Sequence, residues 1–515
     1  MKRFHASALA GMLALAFAPL SGAWAADVVM SANLTAPGVC GNSTNTATGD
    51  CTALDSGPSG DNGHATVTIN AGVTVTTFSS YYSYYSSVWG RKDYSADHVP
   101  PGGPTTTTGN QAHVYGSAIS SGGGRGTFGG EASSGADANA NATAIGNAVT
   151  VYDGGTTDGG LTAGGAAGVQ AGSTATATVK QNIVTVKDGA TGGTVKSTYL
   201  IGGSVGTNIA MKGNAIATDN QVQILGGAVT SRYIFGGSAF IEGIASALNN
   251  TVTVSGGALT PPSGGGNMEG GYAYSTGYVD ATASNNKVVL TGGTLSNMSI
   301  YGGSAYTTGS TARANDNTVD VGADVILTGT DQFWGGSASG PNPGSQSQGN
   351  ILNLRQSGLK VQDMRYFQIL NFYLPPEFKS GDAMLIATSI AYLDGVTKDT
   401  VNIHVGSAKL QVGDTVVLVD GSSGAMRNGP VIGDKITTGD YTFTVTKDAA
   451  HNKQLEVTLE EIVLPPPPPP PPPPPIPPSS LSAIPAMSGI SLALLGLLLA
   501  AGAARRLRRG QIALQ

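Results

Sequence analysis

The chain has 515 residues, 76 of them glycine, about twice the usual share of roughly 7%. Charged residues make up only 11% and aromatics 6%, which excludes a coiled coil, a helical bundle and a basic nucleic-acid binder. Six of the 26 basic residues sit at the two ends (Lys2, Arg3, Arg505, Arg506, Arg508 and Arg509). The middle keeps 20 against 32 acids, a net of −12 with no attraction for nucleic acid.

Residues 1–25 read as a secretory signal peptide. Lys2 and Arg3 form the positive start, residues 8–20 the apolar stretch, and Ala23-Trp24-Ala25 the small-x-small site, placing cleavage between Ala25 and Ala26. Residues 26–110 read as an N-terminal cap with the first strands. Cys40 and Cys51 are the only cysteines. In an exported chain they are expected to pair, and closing so short a loop would stabilise by roughly 2–3 kcal/mol. Residues 78–89 pack six aromatics into an otherwise aromatic-poor chain. Tyr81, Tyr82, Tyr84, Tyr85 and Trp89 are therefore candidate ligand contacts, because Tyr and Ser make adaptable binding loops and aromatic rings stack on sugars. A loop packed over the first coils is the competing reading.

Residues 111–360 carry a repeat. Gly-Gly pairs begin at Gly129, Gly164, Gly202, Gly236, Gly270, Gly302 and Gly335, 32 to 38 residues apart. An Asn-x-apolar-x-apolar pattern follows each pair by 14 to 18 residues, at Asn147, Asn182, Asn220, Asn250, Asn286, Asn317 and Asn350. Each repeat holds three extended candidates: an alternating Val-x-Val strand, an aromatic or aliphatic run ending in Gly-Gly, and a small-residue stretch such as Ala245-Ser246-Ala247. Strands that cannot bury a face alone stack as coils. The expected fold is all-β, a right-handed parallel β-helix of about seven coils, with the asparagines as an amide ladder along one corner. A seven-bladed propeller is the rival, but these repeats are shorter than the usual 40 to 50 residues of a blade.

Beyond residue 360 the repeat stops and larger apolar residues return, so 361–463 reads as an antiparallel β cap covering the open edge of the stack. Residues 464–483 form a linker with eleven consecutive prolines at 465–475, an extended polyproline rod. Residues 484–504 carry no charge and at 1.5 Å per residue would span roughly 30 Å, the depth of a bilayer core. The arginines of 505–515 then form a basic cytoplasmic tail, which leaves the body on the far side of the membrane.

Ile484-Pro485-Ala486-Met487-Ser488, the apolar run and Arg505-Arg506-Leu507-Arg508-Arg509 together resemble the IPTL-CTERM sorting signal of Gram-negative bacteria. Ala486 and Met487 stand where that family has Thr and Leu. The resemblance implies an exosortase-type membrane protease as processing partner. The Asn-x-Val-x-Val and Tyr-Gly-Gly-Ser-Ala repeats, followed by Asn371-Phe372-Tyr373-Leu374-Pro375, are similar to passenger regions of bacterial autotransporters, surface-displayed β-helices that include adhesins. Those proteins end in a membrane barrel for which the 52 residues after Val463 leave no room.

No catalytic, cofactor or metal constellation is expected. None of His5, His64, His98, His113, His404 and His451 lies at ligand spacing from another histidine or a cysteine. Gly202-Gly203-Ser204-Val205-Gly206 matches a nucleophile-elbow pattern, but it is one copy of the repeat with no helix to follow. The expectation is a non-enzymatic, exported, membrane-anchored adhesin or cell-contact factor of the Gram-negative envelope, with a carbohydrate or cell-surface ligand. The alternatives are a polysaccharide-active enzyme, with Asp316 and Asp320 as its candidate carboxylates, and a structural envelope spacer.

Overall fold

The computed structural model describes residues 26–30, 34–35, 51–55, 65–78, 87–93, 105–121, 126–134, 141–169, 175–206, 213–329, 331–344 and 346–463. It is an all-β, right-handed-type β-solenoid of about nine turns with almost no helix. Among the described residues the helical elements are the single turns Lys398–Thr400 and Ala449–Asn452.

One coil shows how the sequence dictates the turn. Gln221–Ile224 alternates outward Gln with buried Val222 and Ile224. The chain then turns through Gly227, whose φ of 77° suits a residue without a Cβ. It continues along Ala228–Ile241, crosses to Ala245–Leu248, and reaches Asn249 in the left-handed conformation just before Asn250 starts the next coil. Each segment lies parallel and in register with its counterpart in the next coil: Val222 with Val252, Ile234 with Met268, and Ala245 with Ala281.

The long strand contains a short segment that the sequence pattern does not separate. In successive coils it contributes Val195, Val229, Leu259 and Leu295 to the core. With one apolar inward residue per coil, followed by a buried serine in two of them, it carries no hydrophobic alternation, so each coil has four extended segments where three are expected from sequence.

Two cores run side by side along the solenoid. The larger is lined by the Val-x-Val strands, the short segments and the residues just before Gly-Gly, such as Leu200, Ile234, Met268, Ile300 and Phe333. The smaller is almost pure alanine, from Ala239, Ala273 and Ala305 after Gly-Gly against Ala245, Ala247, Ala281 and Ala283. Between the cores lies a waist, where the Gly-Gly pair of one side touches the asparagine of the other. A Cβ on Gly130, Gly165, Gly203, Gly237, Gly271 or Gly303 would meet Asn147, Asn182, Asn220, Asn250, Asn286 or Asn317 at less than 3.0 Å. The two sequence markers are therefore one contact, repeated in each coil.

The asparagines form the expected ladder. In Asn250 the side-chain nitrogen donates to Asn286 Oδ1 (3.1 Å) and to the Ala217 carbonyl (2.9 Å), while Oδ1 accepts from Asn220 N and Nδ2, both at 3.0 Å. The seven expected asparagines and Asn110 are wholly buried. Asn110 donates to Asn147 in the same way, but escapes the sequence pattern because Arg91 stands in register with Gly130 and the coil before it lacks Gly-Gly. The residue before each ladder asparagine is left-handed throughout: Gly109, Gly146, Gln181, Asp219, Asn249, Asn285, Asp316 and Gly349.

Parallel stacking extends on both sides of 111–360. Before it, Ala26–Met30 pairs with Ala65–Ile69, which pairs with Gln111–Val114. After it, Ile351–Leu354 pairs with Ile369–Tyr373 and then Val401–His404, while Leu359–Arg365 pairs with Ala383–Tyr392. The markers vanish because Phe367, Phe372, Met384 and Leu385 now fill the core and the waist is no longer needed. Antiparallel pairing is found at Thr415–Asp420 with Gln454–Ile462, and in Lys435–Thr438, Tyr441–Lys447 and Gln454–Ile462.

The expected leader at 1–25, linker at 464–483, apolar run at 484–504 and basic tail at 505–515 lie outside the described residues. With them go Ala25, the sorting-signal positions Ile484 to Ser488 and the four terminal arginines. Among the described residues no helix is long and apolar enough to cross a membrane.

Candidate functional site

The outward side chains of the long strands form columns along the solenoid axis, one residue per coil. Leu161, Tyr199, Tyr233 and Asn267 share one register position, and Ala163, Ile201, Phe235, Glu269, Tyr301 and Trp334 a second. After Gly-Gly the column reads Ala166, Ser204, Ser238, Tyr272, Ser304. Two positions further on, Phe240, Tyr274 and Tyr306 follow one another.

These columns leave a concavity. Small side chains at Ser204 and Ser238 make its floor, and Tyr272, next after Ser238 in that column, closes one end. Tyr199, Tyr233 and Phe235 stand along one side and Phe240 along the other, with Gly206 leaving the space beneath that ring open. The resulting groove has a volume of about 560 Å³. Its walls are braced by ring stacking, Tyr199 on Tyr233 at 5.0 Å, Phe235 on Tyr272 at 4.9 Å and Phe240 on Tyr274 at 4.7 Å between centroids. Stacking between adjacent coils, in register for Tyr199 on Tyr233 and Phe240 on Tyr274, holds the rings in fixed geometry at little cost in side-chain entropy. Leu161, Ile201 and Phe235 also belong to an apolar cluster with Phe128, Ala163 and Ala166.

Glu269, the one carboxylate in the lining, is 2% exposed. Its carboxylate accepts from the Ser304 hydroxyl and, at 3.3 Å, from Asn267 Nδ2. Burial nevertheless outweighs these bonds and pushes its pKa up to about 7. Burial and the proximity of Glu269 raise the Tyr272 hydroxyl as well. The site thus combines aromatic rings and hydroxyls with one buried carboxyl and no basic side chain.

The sequence candidates are distributed differently. Tyr81, Tyr82, Tyr84 and Tyr85 lie outside the described residues. Trp89 is in the strand Ser87–Asp93, its backbone in register with Phe128 and, through later coils, with Phe235 and Glu269. Cys51 opens the strand Cys51–Asp55; Cys40, its expected partner, lies outside the described residues. Ala26 is the first residue of the strand Ala26–Met30.

Asp320 is engaged by Lys287 at 3.7 Å and Arg355 at 3.4 Å, an ion-pair network across neighbouring coils. Asp316 occupies the left-handed corner before Asn317. Ser204 lies within the strand Thr194–Val205 and is 5% exposed, so the elbow-like pattern is groove floor. Among the described residues no group of three His, Cys, Asp or Glu side chains is arranged to hold a metal ion.

Sequence reasoning does not reach the groove. Its signal is the run of Tyr199, Tyr233, Phe235, Phe240 and Tyr272 through three consecutive repeats, visible only once the repeats are aligned. No family model matches the chain, and no curated protein matches it significantly in sequence.

Proposed function

We propose that this chain is an exported β-solenoid, anchored by its C-terminal segment and displayed at the surface of a Gram-negative envelope, where it serves attachment or cell contact. The observation that carries the reading is the outward-facing aromatic groove, built on a body whose coils are locked by a buried amide ladder. Such a body holds a binding face rigid with few charges and no cofactor. The N-terminal leader pattern, the proline rod and the apolar run before the terminal arginines support export and anchoring.

The reading is tested by mass spectrometry of the mature protein from fractionated cells, combined with protease shaving of intact cells. A chain beginning at Ala26, cut near Ile484 and shaved from intact cells supports display after sorting. An intact C-terminus at Gln515 in the inner membrane, protected from shaving, overturns it and leaves a periplasmic tether.

A further inference from the structure

We propose that the groove binds an uncharged saccharide, a short run of hexopyranose rings laid along the solenoid axis. The inference rests on the reading of the chain as a displayed binding body and names the chemistry of its ligand.

The lining selects for this class. It presents aromatic surface at Tyr199, Tyr233 and Phe240 beside the hydroxyls of Ser204 and Ser238 and the Asn267 amide. A pyranose ring has the same division, with apolar C–H faces and a rim of hydroxyls, and aromatic-walled pockets with a few placed polar groups suit such ligands. Coils rise by about 4.8 Å, so the reach from Leu161 to Tyr272 covers roughly 14 Å, the scale of a trisaccharide.

Charge argues against anionic sugars. Neither Lys nor Arg lines the groove; the neighbouring cation, Arg232, is exposed at the rim against Tyr233. A uronate or phosphate placed inside would meet the buried Glu269 with no cation in the lining to balance it. An extended peptide fits less well. It adds to a sheet through free edge N–H and C=O groups, whereas the strands beneath the groove are paired on both sides by the parallel ladder.

Glu269 supplies polarity at the closed end. In its neutral form the carboxyl can both donate and accept, the versatility that a sugar hydroxyl requires. Ser304 and Asn267 fix its orientation.

The experiment uses the full-length protein in detergent, with maltotriose, cellotriose, mannotriose and trigalacturonate as probes, followed by saturation-transfer NMR and calorimetry. Two variants attack the groove without entering the core. Ser204→Tyr fills the floor with the side chain already present at Tyr272 in the same column, and Tyr199→Ala removes a wall residue that is 40% exposed. The control is Tyr278→Ala, at a residue 87% exposed and outside the lining.

The expected result is binding of at least one neutral trisaccharide, weakened about tenfold or more by each groove variant and unchanged by the control, with melting temperatures preserved. No binding by any of the three neutral probes overturns the proposal. So does tighter binding of trigalacturonate, or equal binding by wild type and both groove variants. If the protein binds but is not shaved from intact cells, display fails and the saccharide site stands. If it is shaved and does not bind, the saccharide inference fails alone.

Discussion

Gly237 and Asn250 touch across the waist of one coil: a Cβ at residue 237 would stand less than 3.0 Å from the Asn250 side-chain amide. The contact joins two constraints. Asn250 must lie flat under the chain to bond its neighbours in the ladder, and the strand above can pass only if it carries no side chain there. Gly236 is held to the same standard by backbone, with Gly270 O and Thr251 N on its two sides, each closer than 3.0 Å to where a methyl would stand.

Gly237→Ala therefore cannot be absorbed by a rotamer change, since Asn250 has no free space to move into without breaking its bonds. The expected loss is about 3 kcal/mol or more, the range for overpacking combined with a broken buried hydrogen-bond network. Gly264→Ala is the comparison. It has a positive φ but nothing within 4 Å of the added methyl, so it should cost only about 1 kcal/mol from backbone strain. Urea denaturation of both variants checks the order. Equal losses would mean that the waist has room to relax.

Asn250→Ala probes the other partner. It removes two acceptor bonds, to Asn220 N and Nδ2, and two donor bonds, to Ala217 O and Asn286 Oδ1. All lie in a site with no exposure, so the orphaned groups bear their full desolvation cost, roughly 1–3 kcal/mol each before relaxation. A net loss above about 3 kcal/mol is expected by denaturant titration. A loss below about 1 kcal/mol would show that the ladder is dispensable at this rung. Combined with Gly237→Ala, the losses should be strongly sub-additive, because both changes break the same contact.

Much of this architecture is legible in the amino-acid sequence because its constraints repeat. Gly236-Gly237 and Asn250 recur in each coil, so the period, the stacking and the buried ladder can be read from spacing. Asn110 escapes because Arg91 occupies the place of the second glycine, and a pattern defined by two markers cannot register a coil that keeps one. The short segment carrying Val229 or Leu259 escapes because a single apolar residue has no hydrophobic period. The groove is illegible for a different reason: it depends on which residue lies above which. Ser204, Ser238 and Tyr272 are 34 residues apart along the chain, yet adjacent in one column. Asp320 is opaque for the same reason, since its partners Lys287 and Arg355 come from the coils on either side.

Glu269 gives the groove a pH dependence whose sign can be worked out. In the unfolded chain its carboxyl titrates near 4.5, and in the fold burial lifts it to about 7. Between those values the folded state holds a proton that the unfolded state has lost. Stability is therefore greatest below about pH 4.5 as far as this group is concerned, declines through the window and levels off above pH 7. The full difference is roughly 3 kcal/mol at about 1.36 kcal/mol per unit. Asp331, buried and raised to about 6 for the same reason, adds a slope of the same sign at lower pH. Glu269→Gln keeps the shape of the side chain and removes its proton. Melting curves at about pH 5 and pH 8 should separate clearly for wild type and much less for the variant, leaving the Asp331 contribution. Parallel curves in both proteins would mean that Glu269 is ionised in the fold.

The left-handed corner before each ladder asparagine is filled by a poorly suited residue in one coil. Its occupants are Gly109, Gly146, Asp219, Asn249, Asn285, Asp316 and Gly349, all suited to positive φ, and Gln181 at φ 56°. Glutamine lacks the short side chain that lets Asn and Asp bond locally in this conformation, and a non-glycine residue here costs roughly 1–2 kcal/mol. The corner's hydrogen bond, from Gln181 N to Thr218 O at 3.2 Å, depends only on backbone and survives substitution. Gln181→Asn should therefore stabilise by about half a kcal/mol to 1 kcal/mol, visible as a higher urea midpoint with an unchanged slope. Gln181→Gly relieves more strain but adds freedom to the unfolded chain, so its gain should be smaller than the strain alone suggests. Gln181→Val, which is β-branched, should lose stability, because its side chain is the least compatible with this backbone. A neutral Asn variant together with a neutral Val variant would show that the corner is unstrained and that only the asparagine after it sets the coil.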